Sequence, residues 1–115
     1  MIEINTYEEF LNIIHNNPEK YVFIDFYAKW CKPCMKATPI IEQIEKRLTV
    51  DNILFYKVNI DEICECVDNC SINSIPKFSL YHIGEEVDSI NGFDIKKIGV
   101  LLNKTKPPAK NINSN

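Results

Sequence analysis

Residues 21–34 read YVFIDFYAKWCKPC. The first seven of these residues are almost continuously apolar, which is typical of a central strand buried on both faces. Asp25 is the one charged residue in this run, and a buried carboxylate is costly unless it is paired or protonated. Cys31 and Cys34 follow the strand at the point where a helical pattern begins. The segment therefore predicts a buried strand that leads directly into a pair of thiols at a helix N-terminus.

The spacing of Cys31 and Cys34 suits disulfide exchange. A helix N-terminus offers partial positive charge and free N–H groups that stabilise a thiolate, and the thiolate is the attacking species in exchange. We expect Cys31 to be exposed and to attack a substrate disulfide. We expect Cys34, one turn further on, to be more buried and to resolve the mixed disulfide. Burial should raise the pKa of Asp25, which suits a proton acceptor for Cys34.

Strand and helix patterns alternate along the rest of the chain. Strands are predicted at 2–4, 53–60, 77–83 and 87–91, and helices from Tyr7 to the Asn16-Asn17-Pro18 break and over about 34–48, 63–70 and 94–103. Thr6 and Asp94 are the predicted N-caps of the first and last helices. This order predicts a small α/β domain with helices on both faces of a mixed sheet. Residues 1–103 form that domain, and residues 104–115, rich in Lys, Pro and Asn, are predicted to be a flexible tail.

Composition excludes several classes of protein. Hydrophobic residues make up 45% of the 115 residues and charged residues 25%, the balance of an ordinary globular domain. No run approaches roughly 18 apolar residues, so no membrane span is predicted, and the first residues are too polar for a signal peptide. The net charge is −3, and 12 of the 13 basic residues are lysine, which disfavours nucleic-acid binding. Because a reduced cytosol suits a C-x-x-C pair, we expect a cytoplasmic protein, with an organelle or a compartment reached through a trimmed signal left open.

Residues 25–34 resemble the strand-to-active-site segment of the thioredoxin family. Further matches to the family follow in order: Pro39 to its helix-kinking proline, Lys57 to the lysine of its next strand, Ser74-Ile75-Pro76 to its cis-proline loop, and Gly84 and Gly92 to its later glycines. The resemblance covers residues 2–103. It implies the thioredoxin fold, in which a central mixed sheet of about five strands is flanked by four helices.

The resemblance implies a protein-disulfide reductase in which Asp25 and Lys57 handle the proton. It also implies a cis Ile75–Pro76 bond that faces the two cysteines and exposes the Ile75 backbone to an extended substrate. An apolar docking face for protein substrates is expected from Trp30, Pro33, Ile75, Pro76, Gly92 and Phe93. No cofactor is expected to be bound, because the dithiol stores the electrons. The resemblance implies that those electrons come from NADPH through a thioredoxin reductase, so the expected partners are that reductase and disulfide-containing proteins.

Two lysines depart from the family pattern. Lys32 stands where the family most often has Gly, and its charge should favour the Cys31 thiolate and make the couple somewhat more oxidising. Lys77 follows Pro76 where Thr is usual. We expect Lys77 to add positive charge near the substrate groove and to favour acidic partners.

A second group of cysteines, Cys64, Cys66 and Cys70, precedes the Ile75–Pro76 loop. On a helix, Cys66 and Cys70 share a face with Ile63, while Cys64 points away. The favoured interpretation is that Cys66 and Cys70 are small core residues. A regulatory Cys64–Cys70 disulfide and a metal site are the alternatives. Cys64 is the expected oxidisable thiol, so a disulfide-linked dimer through Cys64 stands as an alternative to a monomer.

Other functions remain open at this stage. One alternative is a dedicated oxidant, an isomerase or a redox partner of a specialised complex, which would use the same site at a higher potential. A second is a binding module that keeps the fold without redox activity, although such modules usually lose one cysteine of the pair. A third is a metal or cluster carrier that uses Cys66 and Cys70.

Overall fold

The structure, a computed structural model, describes residues 1–48 and 51–105. Its strands are β1 (Ile2–Ile4), β2 (Tyr21–Tyr27), β3 (Ile53–Asn59), β4 (Lys77–His82) and β5 (Glu85–Asn91), and its helices are α1 (Tyr7–His15), α2 (Lys32–Arg47), α3 (Glu65–Asn69) and α4 (Ile95–Asn103). Within the described residues the strands form one sheet in the order β1-β3-β2-β4-β5. The first three strands of the chain pair in parallel, and β4 and β5 pair antiparallel. The predicted mixed sheet with four helices is confirmed.

The hydrophobic core lies on both faces of the sheet. On one face, Phe10 of α1 and Cys66 of α3 belong to one buried cluster. On the other face, Ile41 of α2 and Ile98 of α4 belong to a second cluster. Strand β2 contributes alternate side chains to both clusters, so every residue of β2 after Tyr21 is buried. A strand buried on both faces is what its continuous apolar run predicts.

Capping side chains mark the starts of α1, α2 and α4. Thr6 caps α1 and Asp94 caps α4 through hydrogen bonds to backbone N–H groups, as predicted. Helix α2 begins at Lys32, about two residues earlier than predicted, and Cys31 is its N-cap. The difference arises because Pro33 is tolerated in the first turn of a helix, where its missing N–H costs no hydrogen bond.

The β4–β5 hairpin turns on Ile83 and Gly84, whose φ angles are both positive, at 51° and 80°. Such a two-residue turn matches the twist of the flanking strands. Strand β5 therefore begins at Glu85, two residues earlier than predicted. The Gly84 N–H also donates to the Ile14 carbonyl at 2.7 Å, which ties the hairpin to α1.

Residues 104 and 105, the first two of the predicted tail, make contacts with the domain. Thr105 is buried, and its hydroxyl donates to the Leu102 carbonyl at 2.7 Å. Lys104 Nζ lies 3.4 Å from Asp88 Oδ2. The remainder of the predicted tail, residues 106–115, lies outside the described residues. Among the helices described, none combines the length and apolar character that crossing a bilayer requires.

Candidate active site

Cys31 and Cys34 lie at the N-terminus of α2 and are joined by a disulfide, with their Cα atoms 5.2 Å apart. The Cys34 N–H donates to Cys31 Sγ at 3.2 Å, which is the N-cap contact of the helix. Cys31 is 5% exposed and Cys34 is 0% exposed. Cys31 is therefore buried, and the prediction that it is exposed is wrong, although it is the more accessible of the two residues. Its sulfur accepts the Cys34 N–H, a first-turn N–H that has no partner within the helix.

Asp25 is a fully buried carboxyl that points toward α2. The Thr38 hydroxyl lies 3.4 Å from Asp25 Oδ2 and 3.1 Å from the Cys34 carbonyl oxygen, so Asp25 sits beneath the first turns of the helix. Asp25 Oδ1 has no hydrogen-bond partner among the described residues. Burial raises the pKa of Asp25 to about 7, because desolvation outweighs the Thr38 hydrogen bond and the Lys57 charge, both of which lower it. A carboxyl with this pKa can accept and release a proton near neutral pH.

Lys57 lies beside Asp25 in the strand register of β2 and β3. Its other neighbour in the same row is Glu3 of β1. The Lys57 ammonium lies 5.8 Å from the centroid of the Tyr27 ring, and the Tyr27 hydroxyl donates to Glu3. Lys57 therefore lies between Asp25 and Glu3 in the sheet. Its ammonium lies over the Tyr27 ring, whose hydroxyl is hydrogen-bonded to Glu3.

A groove of about 280 Å³ lies beside the disulfide and is lined by Trp30, Ile60, Ile72, Asn73, Ser74 and Ile75. The Ile75–Pro76 peptide bond is cis, as the sequence resemblance implies. Ile75 and Ile60 pack against the buried cluster that contains both cysteines. Trp30 is 68% exposed, and its indole N–H donates to Asp61 Oδ2 at 2.9 Å. The structure thus brings an exposed aromatic side chain, the cis-proline loop and the disulfide together.

The remaining predicted docking residues lie around this groove. Pro33 is exposed in the first turn of α2. The Gly92 N–H donates to the Pro76 carbonyl at 2.8 Å, so Gly92 is held beside the cis-proline loop. Phe93 is half-buried, and its ring packs edge-on against Phe78 of the core at a centroid distance of 6.1 Å. Phe93 therefore also supports the core.

Lys77 is not at the groove, and the prediction that it adds charge there is wrong. It is buried, its Nζ donates to the Cys70 carbonyl at 2.8 Å, and the same atom lies 3.5 Å from Glu86 Oε2. Side chains alternate between the two faces along β4, and Phe78 joins the cluster under α2 and α4. Lys77 is consequently directed to the opposite face, beneath α3.

The second group of cysteines carries three free thiols with different exposures: Cys64 is exposed, Cys66 is buried and Cys70 is half-buried. The predicted orientation of Cys64, away from the core, is confirmed. Cys66 and Cys70 also pack with the core cluster, as expected. No group of three metal-ligating side chains occurs among the residues that the structure describes.

Sequence reasoning missed two polar contacts at the site. Thr38 lies one helical turn after Cys34, and this spacing is a signal that places it on the same face of α2. Asp61, which accepts the hydrogen bond of the Trp30 indole, follows the end of β3. Its contact depends on how the loop after β3 approaches the loop after β2, for which the sequence carries no signal.

The family model described as Thioredoxin matches residues 1–104. This chain belongs to the thioredoxin family. A thioredoxin of Ictalurus punctatus is 30% identical over 106 residues, covering 92% of this chain and 99% of that protein. Thioredoxin 1 of Plasmodium falciparum is 35% identical over 105 residues, covering 90% of this chain and 97% of the relative. A solved structure of Plasmodium falciparum thioredoxin shares a TM-score of 0.83 at 32% identity, covering 92% of this chain and 100% of that one.

Family membership and the Cys31–Cys34 pair together establish the class of activity. The chain is a thiol-disulfide oxidoreductase, and its thioredoxin relatives support activity as a protein-disulfide reductase. Thioredoxins act on disulfide-containing substrates and need no prosthetic group. The prediction of the thioredoxin fold from the sequence is confirmed.

Proposed function

We propose that Cys31 is the attacking thiol and Cys34 the resolving thiol of this thioredoxin-family reductase. The observation that carries the proposal is the hydrogen bond from the Cys34 N–H to Cys31 Sγ at the helix N-terminus, on the less deeply buried of the two cysteines. That N–H and the helix dipole stabilise a thiolate at Cys31 after reduction. The Cys31 thiolate attacks one sulfur of a substrate disulfide, forms a mixed disulfide and expels the other sulfur as a thiolate.

In the second step the Cys34 thiol loses its proton and attacks Cys31 Sγ of the mixed disulfide, which releases the second substrate sulfur. Asp25 accepts this proton. Its burial beneath Cys34 and a pKa of about 7 support the role, since the carboxylate is basic enough to take a proton at neutral pH. Lys57 is proposed to stabilise the Asp25 carboxylate, because its positive charge lowers the pKa of Asp25.

Substrates are proposed to dock along the groove beside the disulfide. The exposed Trp30 ring and Pro33 supply apolar surface, and the Ile75 backbone accepts an extended peptide in strand-like pairing. Pro76 and Gly92 shape the loop that presents Ile75, since the Gly92 N–H donates a hydrogen bond to the Pro76 carbonyl. Phe93 completes this face with the exposed part of its ring.

Trapping of the mixed disulfide tests the order of attack. Reduced Cys34→Ser protein is mixed with insulin as the disulfide substrate, and the expected product is a covalent complex through Cys31 that a dithiol reagent releases. Cys31→Ser is the matched control and should form no such complex. If the Cys31→Ser protein forms the complex instead, the assignment of the two thiols is reversed; if neither variant does, the proposed mechanism fails.

The reduction potential separates a reductant from an oxidant or isomerase. Cys64, Cys66 and Cys70 are changed to Ser, and the potential of the Cys31–Cys34 couple is measured. A value near that of thioredoxin, about −270 mV, is expected, shifted somewhat upward by Lys32, and Lys32→Gly should remove that shift. A value near about −180 mV, typical of protein disulfide isomerase, would favour the oxidant or isomerase alternative. The absence of a measurable couple would favour a binding module.

We propose that the electrons reach Cys31–Cys34 from NADPH through a thioredoxin reductase, and that the protein works as a cytoplasmic monomer. Family membership supports the electron source. NADPH consumption that requires both a reductase and this protein, with insulin as acceptor, is the expected result. The exposed Cys64 thiol supports the dimer alternative. Size-exclusion chromatography without reductant, with Cys64→Ser as control, should show a monomer for both proteins.

A further inference from the structure

Tyr27 connects the buried cysteine cluster to the edge of the sheet. Its side chain is 4% exposed and packs in the cluster that contains Cys31 and Cys34. Its hydroxyl donates to Glu3 Oε2 of β1, which is the outermost strand on that side of the sheet. The disulfide-exchange steps proposed above make no use of this hydroxyl or of Glu3.

Glu3, Lys57 and Asp25 form one row across three neighbouring strands. Lys57 of β3 lies opposite Glu3 of β1 in one pairing and opposite Asp25 of β2 in the other. Neighbouring strands lie about 4.7–4.9 Å apart, and the side chains of one row are directed to the same face of the sheet. Both carboxylates are therefore close enough to compete for the same ammonium.

The Lys57 ammonium is paired with neither carboxylate. Among the residues that the structure describes, Lys57 forms no ion pair. Its Nζ lies instead 5.8 Å from the centroid of the Tyr27 ring, a distance at which the face of an aromatic ring attracts a cation. From this position its charge lowers the pKa of Asp25.

Two further carboxylates act on these side chains from other elements. Glu42 of α2 raises the pKa of Asp25, and Glu62, in the loop after β3, raises the pKa of Tyr27. Neither belongs to the row across the strands, and neither accepts the Tyr27 hydroxyl. Their effects are therefore common to all the variants compared below.

We propose that the hydrogen bond from the Tyr27 hydroxyl holds the Glu3 carboxylate away from Lys57 and so directs the Lys57 charge to Asp25. Tyr27 and Glu3 are positioning residues, because both act through Lys57. The inference rests on the proposed role of Asp25 as the acceptor of the Cys34 proton. Without this hydroxyl, the lysine would be divided between two carboxylates in the same row.

Loss of the hydroxyl has a defined electrostatic consequence. In Tyr27→Phe the ring remains, but Glu3 loses its donor and pairs with the Lys57 ammonium. That ion pair offsets the positive charge near Asp25, so the pKa of Asp25 rises, by up to about one pH unit. Because the wild-type pKa is about 7, the fraction of Asp25 that is ionised at pH 7 then falls by up to about fivefold.

Carbon-13 NMR of the Asp25 carboxyl measures this shift in the oxidised protein, in which the disulfide does not titrate. Tyr27→Phe should raise the titration midpoint, and Glu3→Gln alone should leave it at the wild-type value. The double variant should return the midpoint to the wild-type value, because no carboxylate of β1 is then left to pair with Lys57. A loss of packing at residue 27 would not be rescued in this way.

Tyr56→Phe is the matched control. Tyr56 is the half-buried tyrosine next to Lys57 in β3, and its side chain packs against the core cluster on the opposite face of the sheet. This variant removes the same chemical group one strand position away from the row. The Asp25 midpoint should stay unchanged.

The proton-transfer step is followed by stopped flow with dithiobisnitrobenzoate. Cys64, Cys66 and Cys70 are changed to Ser so that only the reactive pair is counted. The Cys31 thiolate breaks the S–S bond of the reagent and releases one thionitrobenzoate. Cys34 then loses its proton, attacks Cys31 Sγ and expels the second thionitrobenzoate as the disulfide closes.

The release of the second thionitrobenzoate should be slower in Tyr27→Phe by up to about fivefold at pH 7. It should approach the wild-type rate at about pH 9, where Asp25 is ionised in both proteins. Adding Glu3→Gln should restore the rate at pH 7. A uniform loss of rate at every pH, or a loss that Glu3→Gln does not restore, would contradict the positioning role.

Asp25→Asn separates failure of this inference from failure of the proposed function. If the Asp25 midpoint does not rise in Tyr27→Phe, or if Glu3→Gln does not return it, the inference is overturned even where Asp25→Asn slows the second release. If Asp25→Asn leaves the second release unchanged, the proposed role of Asp25 in proton transfer fails. The NMR midpoints then still decide whether Tyr27 and Glu3 direct the charge of Lys57.

Discussion

Asp25→Asn is expected to stabilise the oxidised protein in a way that depends on pH. Asn keeps the size of the side chain and retains an oxygen that can accept the Thr38 hydroxyl. It cannot ionise, however, and the ionised form of Asp25 is the one that burial opposes. The gain in stability should therefore follow the ionisation of Asp25 in the wild-type protein.

The magnitude follows from the two pKa values of Asp25. Burial raises its pKa from 3.8 in the unfolded chain to about 7 in the folded protein. Between these pH values the folded state binds more protons than the unfolded state, so the free energy of unfolding falls as pH rises. Above pH 7 the accumulated loss is about 4 kcal/mol, and below about pH 4 it vanishes. Asp25→Asn should exceed the wild type by up to this amount at pH 8 and match it at pH 4.

Urea unfolding at a series of pH values from about 4 to 9 measures this difference. Both proteins are kept oxidised, and the unfolding midpoint and slope are compared at each pH. Asp51→Asn is the control, because Asp51 is an exposed carboxylate whose loss should produce no comparable pH-dependent gain. A difference between Asp25→Asn and wild type that is the same at pH 4 and pH 8, or a wild type that is the more stable protein at pH 8, would refute the reasoning.

Three further substitutions have expected outcomes. Lys57→Met removes a charge that lowers the pKa of Asp25, so carbon-13 NMR of the Asp25 carboxyl should show titration above about pH 7, and an unchanged midpoint would contradict this electrostatic role. Gly84→Ala should lower the free energy of urea unfolding by about 1–3 kcal/mol, because φ is +80° and the new Cβ would meet the His15 ring; a neutral result would show that the hairpin relaxes freely. Phe10→Ala, at a side chain that is 1% exposed, should lower it by about 3–5 kcal/mol, and a loss below 1 kcal/mol would mean that the core collapses into the space.

Local sequence patterns predicted most of the secondary structure. The apolar run before Asp25 identified the central strand because burial on both faces requires it. Thr6 and Asp94 identified two helix starts because the capping contact is made within a few residues of the chain. Two predicted boundaries differed from the structure. The start of α2 at Lys32 depends on a proline accepted in the first helical turn, and the start of β5 at Glu85 depends on a two-residue hairpin turn. The local sequence is compatible with more than one start in each case.

The sequence also predicted the dithiol site and its resemblance to a known family. Cys31 and Cys34 lie three residues apart in one segment, so their chemistry can be inferred from that segment alone. The contacts of Lys77 could not be inferred in this way. Its neighbour Pro76 suggested a place at the groove, but the alternation of side chains along β4 sends it to the opposite face. A single residue of register decides that outcome, and register is set by pairing across the sheet.

The sequence by itself determined the order of the elements, the site of the reactive pair and the burial of Asp25, since each depends on periodicity or on spacing within one segment. Only the tertiary structure decided which side chains from different segments meet. It placed Thr38 against Asp25, Asp61 against Trp30 and the Lys77 ammonium at the end of α3. These contacts set the pKa of a buried group and the shape of a pocket. Both properties are sums over neighbours that lie far apart in the chain, so they exist only once the sheet and its helices have packed.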